Sequence, residues 1–92
     1  MKKYEDICSI FGNGDFLKGA EILERLAMRL IEARKKHLLY AEGKYQALGV
    51  IHSEYCEFAH AVEHENIVRC EDECLDVLAT CVRFMGMEYA PL

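Results

Sequence analysis

The stretch LGVIHSEYCEFAHAVEHENIVRCEDECLDVLATCVRFM, Leu48 to Met85, decides the fold. Gly49 is its only glycine, and the sole proline of the chain, Pro91, lies beyond it. So long a run without breakers reads as helix. Leu48, Ile51, Tyr55, Phe58 and Val62 recur at steps of three and four. They predict a helix from about Lys44 with one apolar face packed on a neighbour. Continued in phase, that stripe would run through Glu65, Arg69, Asp72 and Asp76. The apolar residues downstream are instead Leu75, Leu78, Val82 and Met85, about half a turn away. One straight helix cannot bury both stripes on the same side. The chain must therefore break near His64-Glu65-Asn66, with Asn66 capping the next helix. Glu71 and Asp72 follow in its early part, where the helix dipole favours negative charge. That helix should end near Gly86.

Working upstream, Gly12-Asn13-Gly14-Asp15 reads as a turn closing in an N-cap, either Asp15 or Asn13. Phe16, Ala20, Leu23, Ala27 and Leu30 then form a helical stripe, with Gly43 as its expected end. The first eleven residues are short and mixed. The expectation is a single all-α domain over residues 1–92, with three main helices in a bundle too small to cover itself. Helix-three residues Val77 and Phe84 lie away from the main stripe, so apolar surface faces two ways. A homodimer or homotetramer would cover it.

The totals agree with a small globular domain: 92 residues, 52% hydrophobic and 29% charged. A net charge of −5 argues against nucleic acid as the primary partner, since phosphate backbones need a basic footprint. No apolar run approaches the roughly 20 residues that span a bilayer, and the acidic start at Glu5-Asp6 does not resemble a signal peptide. The expected location is cytoplasmic, with no membrane contact. The five cysteines are odd in number, include no Cys-x-x-Cys pair, and four lie in helical patterns, so they read as reduced thiols.

Chemistry is concentrated in two acidic pairs. Glu54 and Glu57 are three apart and share a helix face with Ala47, Val50 and Ala61. Glu73 and Asp76 repeat the spacing on the next helix, beside Val77, Thr80 and Phe84. Like charges so placed repel, and burial worsens the repulsion. A hard cation relieves it: Mg²⁺ takes oxygen ligands, commonly a few carboxylates together with substrate phosphates. Antiparallel packing of the two helices would bring the pairs together, because both sit near mid-helix.

Glu54-x-x-Glu57 followed by Glu73-x-x-Asp76 resembles the signature of the MazG-like all-α nucleoside triphosphate pyrophosphohydrolases. Glu73-Cys74-Leu75-Asp76-Val77-Leu78 is similar to that family's Glu-x-x-Asp-Val-Leu stretch, and Phe58-Ala59-His60-Ala61 follows Glu57 where the family is rich in apolar residues. The likeness covers roughly Lys44 to Phe84. It implies Mg²⁺, or Mn²⁺, held by Glu54, Glu57, Glu73 and Asp76, with Glu54 and Glu57 closest to the chemistry. It implies hydrolysis of a nucleoside triphosphate to monophosphate and pyrophosphate, with house-cleaning of non-canonical nucleotides as the expected role. The metal would clamp the phosphates and acidify a water that attacks the α-phosphorus. A basic group should meet the developing charge. Arg83, seven residues after Asp76, is the first candidate, and Lys44 and the Arg34-Lys35-Lys36 run come next. Two departures stand out. Ser53 occupies a position where the family often has another Glu, and Met85 to Leu92 does not supply the family's basic segment beyond the third helix.

Two other readings use the same residues differently. Glu57-x-x-His60, with Glu32 or Glu54, has the spacing of a di-iron carboxylate bundle, but leaves Glu73 and Asp76 without a task. A helical interaction module without chemistry would make the carboxylates surface charges. Cys70/Cys74 with His60/His64 form a conceivable zinc set. No residue reports on base or sugar preference.

Overall fold

The computed structural model describes residues 2–91, so the terminal Met1 and Leu92, which the sequence reading included in the domain, lie outside it. The described chain is all-α, with no strands. Four helices follow in order: α1 (Lys2–Phe11), α2 (Phe16–Lys36), α3 (Gly43–His64) and α4 (Ile67–Met85). None is long and apolar enough to cross a membrane.

The expected three helices become four because the opening residues form α1. Tyr4, Cys8 and Phe11 are spaced at helical steps. Cys8 is fully buried, and Tyr4 meets Phe16 of α2 edge-on at 6.3 Å. Ten residues make too short a helix to stand alone in water; α1 exists by packing on α2. Its crossing is tight because Gly19 has no side chain. A Cβ built there would lie 1.6 Å from the Cys8 carbonyl oxygen. The connecting turn uses Asn13 at φ 53° and Gly14 at φ 93°. Asp15 is the cap, its carboxylate accepting from the Lys18 amide at 3.1 Å.

α2 stops at Lys36, well short of Gly43. No breaker stands there, so tertiary contacts end the helix. The Arg83 guanidinium on α4 donates to the His37 and Leu38 carbonyls. Residues 40–42 then run extended beside the C-terminal segment: Tyr40 N–H donates to Glu88 O at 3.0 Å, Ala90 N–H to Ala41 O at 2.9 Å, and Gly43 N–H to Ala90 O at 2.7 Å. Gly43 opens α3 with φ 82°, a left-handed conformation that suits glycine, rather than closing α2.

The α3–α4 break falls where the change of phase requires it. α3 ends at His64, and Asn66 caps α4 by accepting from the Arg69 amide at 3.0 Å. With so short a connection the two helices return antiparallel. Their contact face is not the predicted one. Ala47 and Ala61 are fully buried, whereas Leu48, Tyr55 and Val62 are more than half exposed. The small residues let the backbones approach, which puts the stripe bearing Glu54 against α4 and turns the large apolar stripe outward. α4 packs on both α3 and α2, while the backbones of α2 and α3 are not packed against each other. That arrangement leaves a cleft with α4 as its floor.

Candidate metal centre and cleft

Three of the four predicted ligands converge. Glu54, Glu57 and Glu73 each offer an oxygen within 4.8 Å of the others. Glu54 and Glu57 come from successive turns of α3, and Glu73 faces them from α4. Glu73 is 8% exposed. Its Oε1 accepts from Arg69 at 2.7 Å, but its Oε2 is buried without any partner. A buried carboxylate oxygen left unpaired carries a desolvation cost that a cation would remove. The donor set is all oxygen, which suits Mg²⁺ or Mn²⁺. The residues therefore fit a hard divalent cation.

The electrostatics show the same deficit of positive charge. Glu54 is pushed up to about 7, first by burial, then by the charges of Glu57 and Asp76, and further by a hydrogen bond with Glu57 and by Glu73. Carboxylates sharing a site cannot all ionise cheaply.

Asp76 stands apart from the triad. Its Oδ1 accepts from Arg29 Nη1 of α2 at 2.8 Å, and it lines the cleft together with Glu54. The cleft encloses about 410 Å³. α2 supplies Arg29, Glu32 and Lys36 to its wall, the α2–α3 linker supplies His37 and Tyr40, and α4 supplies Thr80. The Tyr40 hydroxyl is buried without a partner, and burial raises its pKa.

Arg83 lies in the cleft wall, as its register with Asp76 implies, yet it is only 3% exposed. Its Nε donates to Glu88 at 2.9 Å, its Nη2 is committed to the linker carbonyls, and it covers the Tyr40 ring at 5.1 Å. The structure places it as a clasp. Lys44 sits at the exposed start of α3, 5.3 Å from the Tyr45 ring, in a different hollow with Glu42 and Tyr89. It is not brought to the carboxylates. Of the basic run, Arg34 pairs with Glu88 at 2.7 Å and Lys36 reaches the cleft.

Arg29 is the residue that sequence reasoning passed over. Its signal was faint, because Glu32, three residues on, reads as an ordinary partner on the same helix. Its hydrogen-bond partner, Asp76, is on α4, 47 residues away.

The residues of the rival metal sites are arranged less favourably. Glu57 and His60 share a shallow hollow with Cys56 and Glu73, but His60 does not join the oxygen triad; its ring stacks on His64 at 4.6 Å. Cys70 is buried and donates to the Ala61 carbonyl at 3.2 Å, and Cys74 lines a separate hollow with Lys18 and Ile22. Compared with protein-family models, curated proteins and solved structures, the chain has no significant match.

Proposed function

We propose that this chain is a MazG-like nucleoside triphosphate pyrophosphohydrolase dependent on Mg²⁺ or Mn²⁺, converting a nucleoside triphosphate and water to the monophosphate and pyrophosphate. The observation that carries the reading is the triad of Glu54, Glu57 and Glu73 with the unpartnered, buried Glu73 Oε2, set beside a cleft with cationic side chains. A cluster of uncompensated carboxylates and an adjacent basic wall are what a metal–polyphosphate complex requires from a protein.

A bound divalent cation would neutralise phosphate charge and acidify water. The remaining work falls to the chain. Glu54, Glu57 and Glu73 would hold the ion, with Asp76 beside Glu54 in the cleft. Glu54, ionised once the ion is bound, would accept a proton from the attacking water through an oxygen the ion leaves free. Ser53, exposed on α3, offers only a hydroxyl next to it. Lys36 and Arg29 would supply positive charge to phosphates in the cleft, which His37 also lines.

The outward stripe of Leu48, Tyr55 and Val62 supports a second part of the proposal, that a further copy of the chain covers α3. The test of activity offers purified protein a panel of canonical and modified nucleoside triphosphates with Mg²⁺ or Mn²⁺. Monophosphate and pyrophosphate are the expected products, abolished by Glu57→Gln and by Glu73→Gln. No hydrolysis of any substrate, together with no Mn²⁺ binding by titration, overturns the proposal.

A further inference from the structure

We propose that Arg29 is a movable counter-charge, holding Asp76 while the cleft lacks a cation and passing to the substrate's phosphates once one is bound; this rests on the metal-dependent reading above. Arg29 Nη1 donates to Asp76 Oδ1 at 2.8 Å, and Nη2 lies 3.5 Å from Asp72 Oδ1. A cation at the carboxylates and the guanidinium on Asp76 compete for the same negative charge, and they repel each other.

Departure of Arg29 is inexpensive on the side of Asp72, which also has Arg25 at 3.5 Å and Arg69 at 3.8 Å. On the side of Asp76, which lines the cleft beside Glu54, a cation at the triad offsets part of the lost charge. The arginine also has somewhere to go. It lines both the cleft and the neighbouring hollow formed with Glu24 and Met28, and its side chain is 30% exposed. Arg83, the other arginine of the cleft, is tied to backbone carbonyls and Glu88. Arg29 is thus the cleft guanidinium that a metal would displace from its present partner. A planar fork matches phosphate oxygens in pairs, which a lysine cannot reproduce.

The exchange predicts effects of opposite sign, which a purely structural arginine would not produce. Isothermal titration of Mn²⁺ alone, and of inorganic tripolyphosphate at saturating Mn²⁺, would be run on wild type, Arg29→Gln, Arg29→Lys and Glu57→Gln. Arg29→Gln is expected to bind Mn²⁺ alone severalfold more tightly, and tripolyphosphate about tenfold more weakly. Arg29→Lys keeps the charge and loses the fork, so Mn²⁺ affinity should stay near wild type while tripolyphosphate binding falls severalfold. It decides the matter if circular dichroism shows that the glutamine variant does not fold. Unchanged tripolyphosphate binding in the substituted proteins, or a parallel loss of both affinities, overturns the role of Arg29 and leaves the metal site standing. Absence of Mn²⁺ binding by wild type, matching Glu57→Gln, overturns the metal reading and the exchange with it.

Discussion

At the scale of single residues, the decisive chemistry is an excess of carboxylate on a partly buried face. Glu54 lies above its ordinary range because protonation relieves burial and the repulsion of Glu57, Asp76 and Glu73. The sign of the pH effect follows. A carboxyl raised in the folded state stabilises the fold while it is protonated, and that contribution fades as pH rises from about 4.5 through about 7. The metal-free protein should therefore lose thermal stability from this group between pH 5 and 8, and Glu54→Gln should flatten the profile in calorimetry. Mn²⁺ affinity should rise over the same interval, because the ion competes with the proton. An Mn²⁺ affinity independent of pH would count against Glu54 as a ligand. The carboxylate pairs were legible in the chain because a helix turns a three-residue spacing into adjacency. The Arg29–Asp76 pair was not, since its members lie on helices whose relative placement no local pattern encodes.

At the scale of elements, caps and close approaches set the helices. Asn66 stops α3 and starts α4, satisfying the Arg69 amide. Asn66→Ala should cost about 1 kcal/mol in urea denaturation, the usual value of such a cap, with no change in helix content. Gly19 is less forgiving. Its Cα faces the Cys8 carbonyl so closely that Gly19→Ala must separate α1 from α2. Its cost should be at the upper end of overpacking, about 3 kcal/mol, despite the higher helix propensity of alanine. Amide exchange in residues 3–11 should rise at the same time. The break at His64–Asn66 could be read from the phase of apolar residues. α1 could not, because ten mixed residues carry too little periodicity to distinguish a short packed helix from a loop.

At the scale of the whole molecule, the α2–α3 linker and the C-terminal segment form one structure around Arg83. The guanidinium holds His37 and Leu38, Glu88 bridges Arg83 and Arg34, and the backbone pairing of residues 40–43 with 88–90 completes the join. Glu88 is held below the usual carboxylate range, first by Arg34 and then by Arg83. Arg83→Met should cost about 3 kcal/mol, since the His37 and Leu38 carbonyls lose their charged donor and Glu88 keeps only Arg34. It should also loosen the wall that carries His37 and Tyr40, seen as faster proteolysis within 37–43. A second copy packed on α3 would bury Leu48 and Val62, so Leu48→Asp with Val62→Asp should give a monomer in sedimentation velocity if wild type is a dimer. Equal sedimentation of the two proteins would exclude that face as the contact.

The chain by itself determined that the protein is helical, where α3 gives way to α4, and which acidic residues share a face. Each of these depends on periodicity and capping, which operate within a few residues. Only the tertiary structure decided that α2 ends at Lys36, that α1 is a helix, that Arg83 is a clasp, and that the alanine stripe of α3 faces inward. Those outcomes depend on which surfaces meet. Helix α3 could bury either its large apolar stripe or its small one, and the close approach allowed by Ala47 and Ala61 selected the latter. That choice carries Glu54, Glu57 and Glu73 within reach of one another.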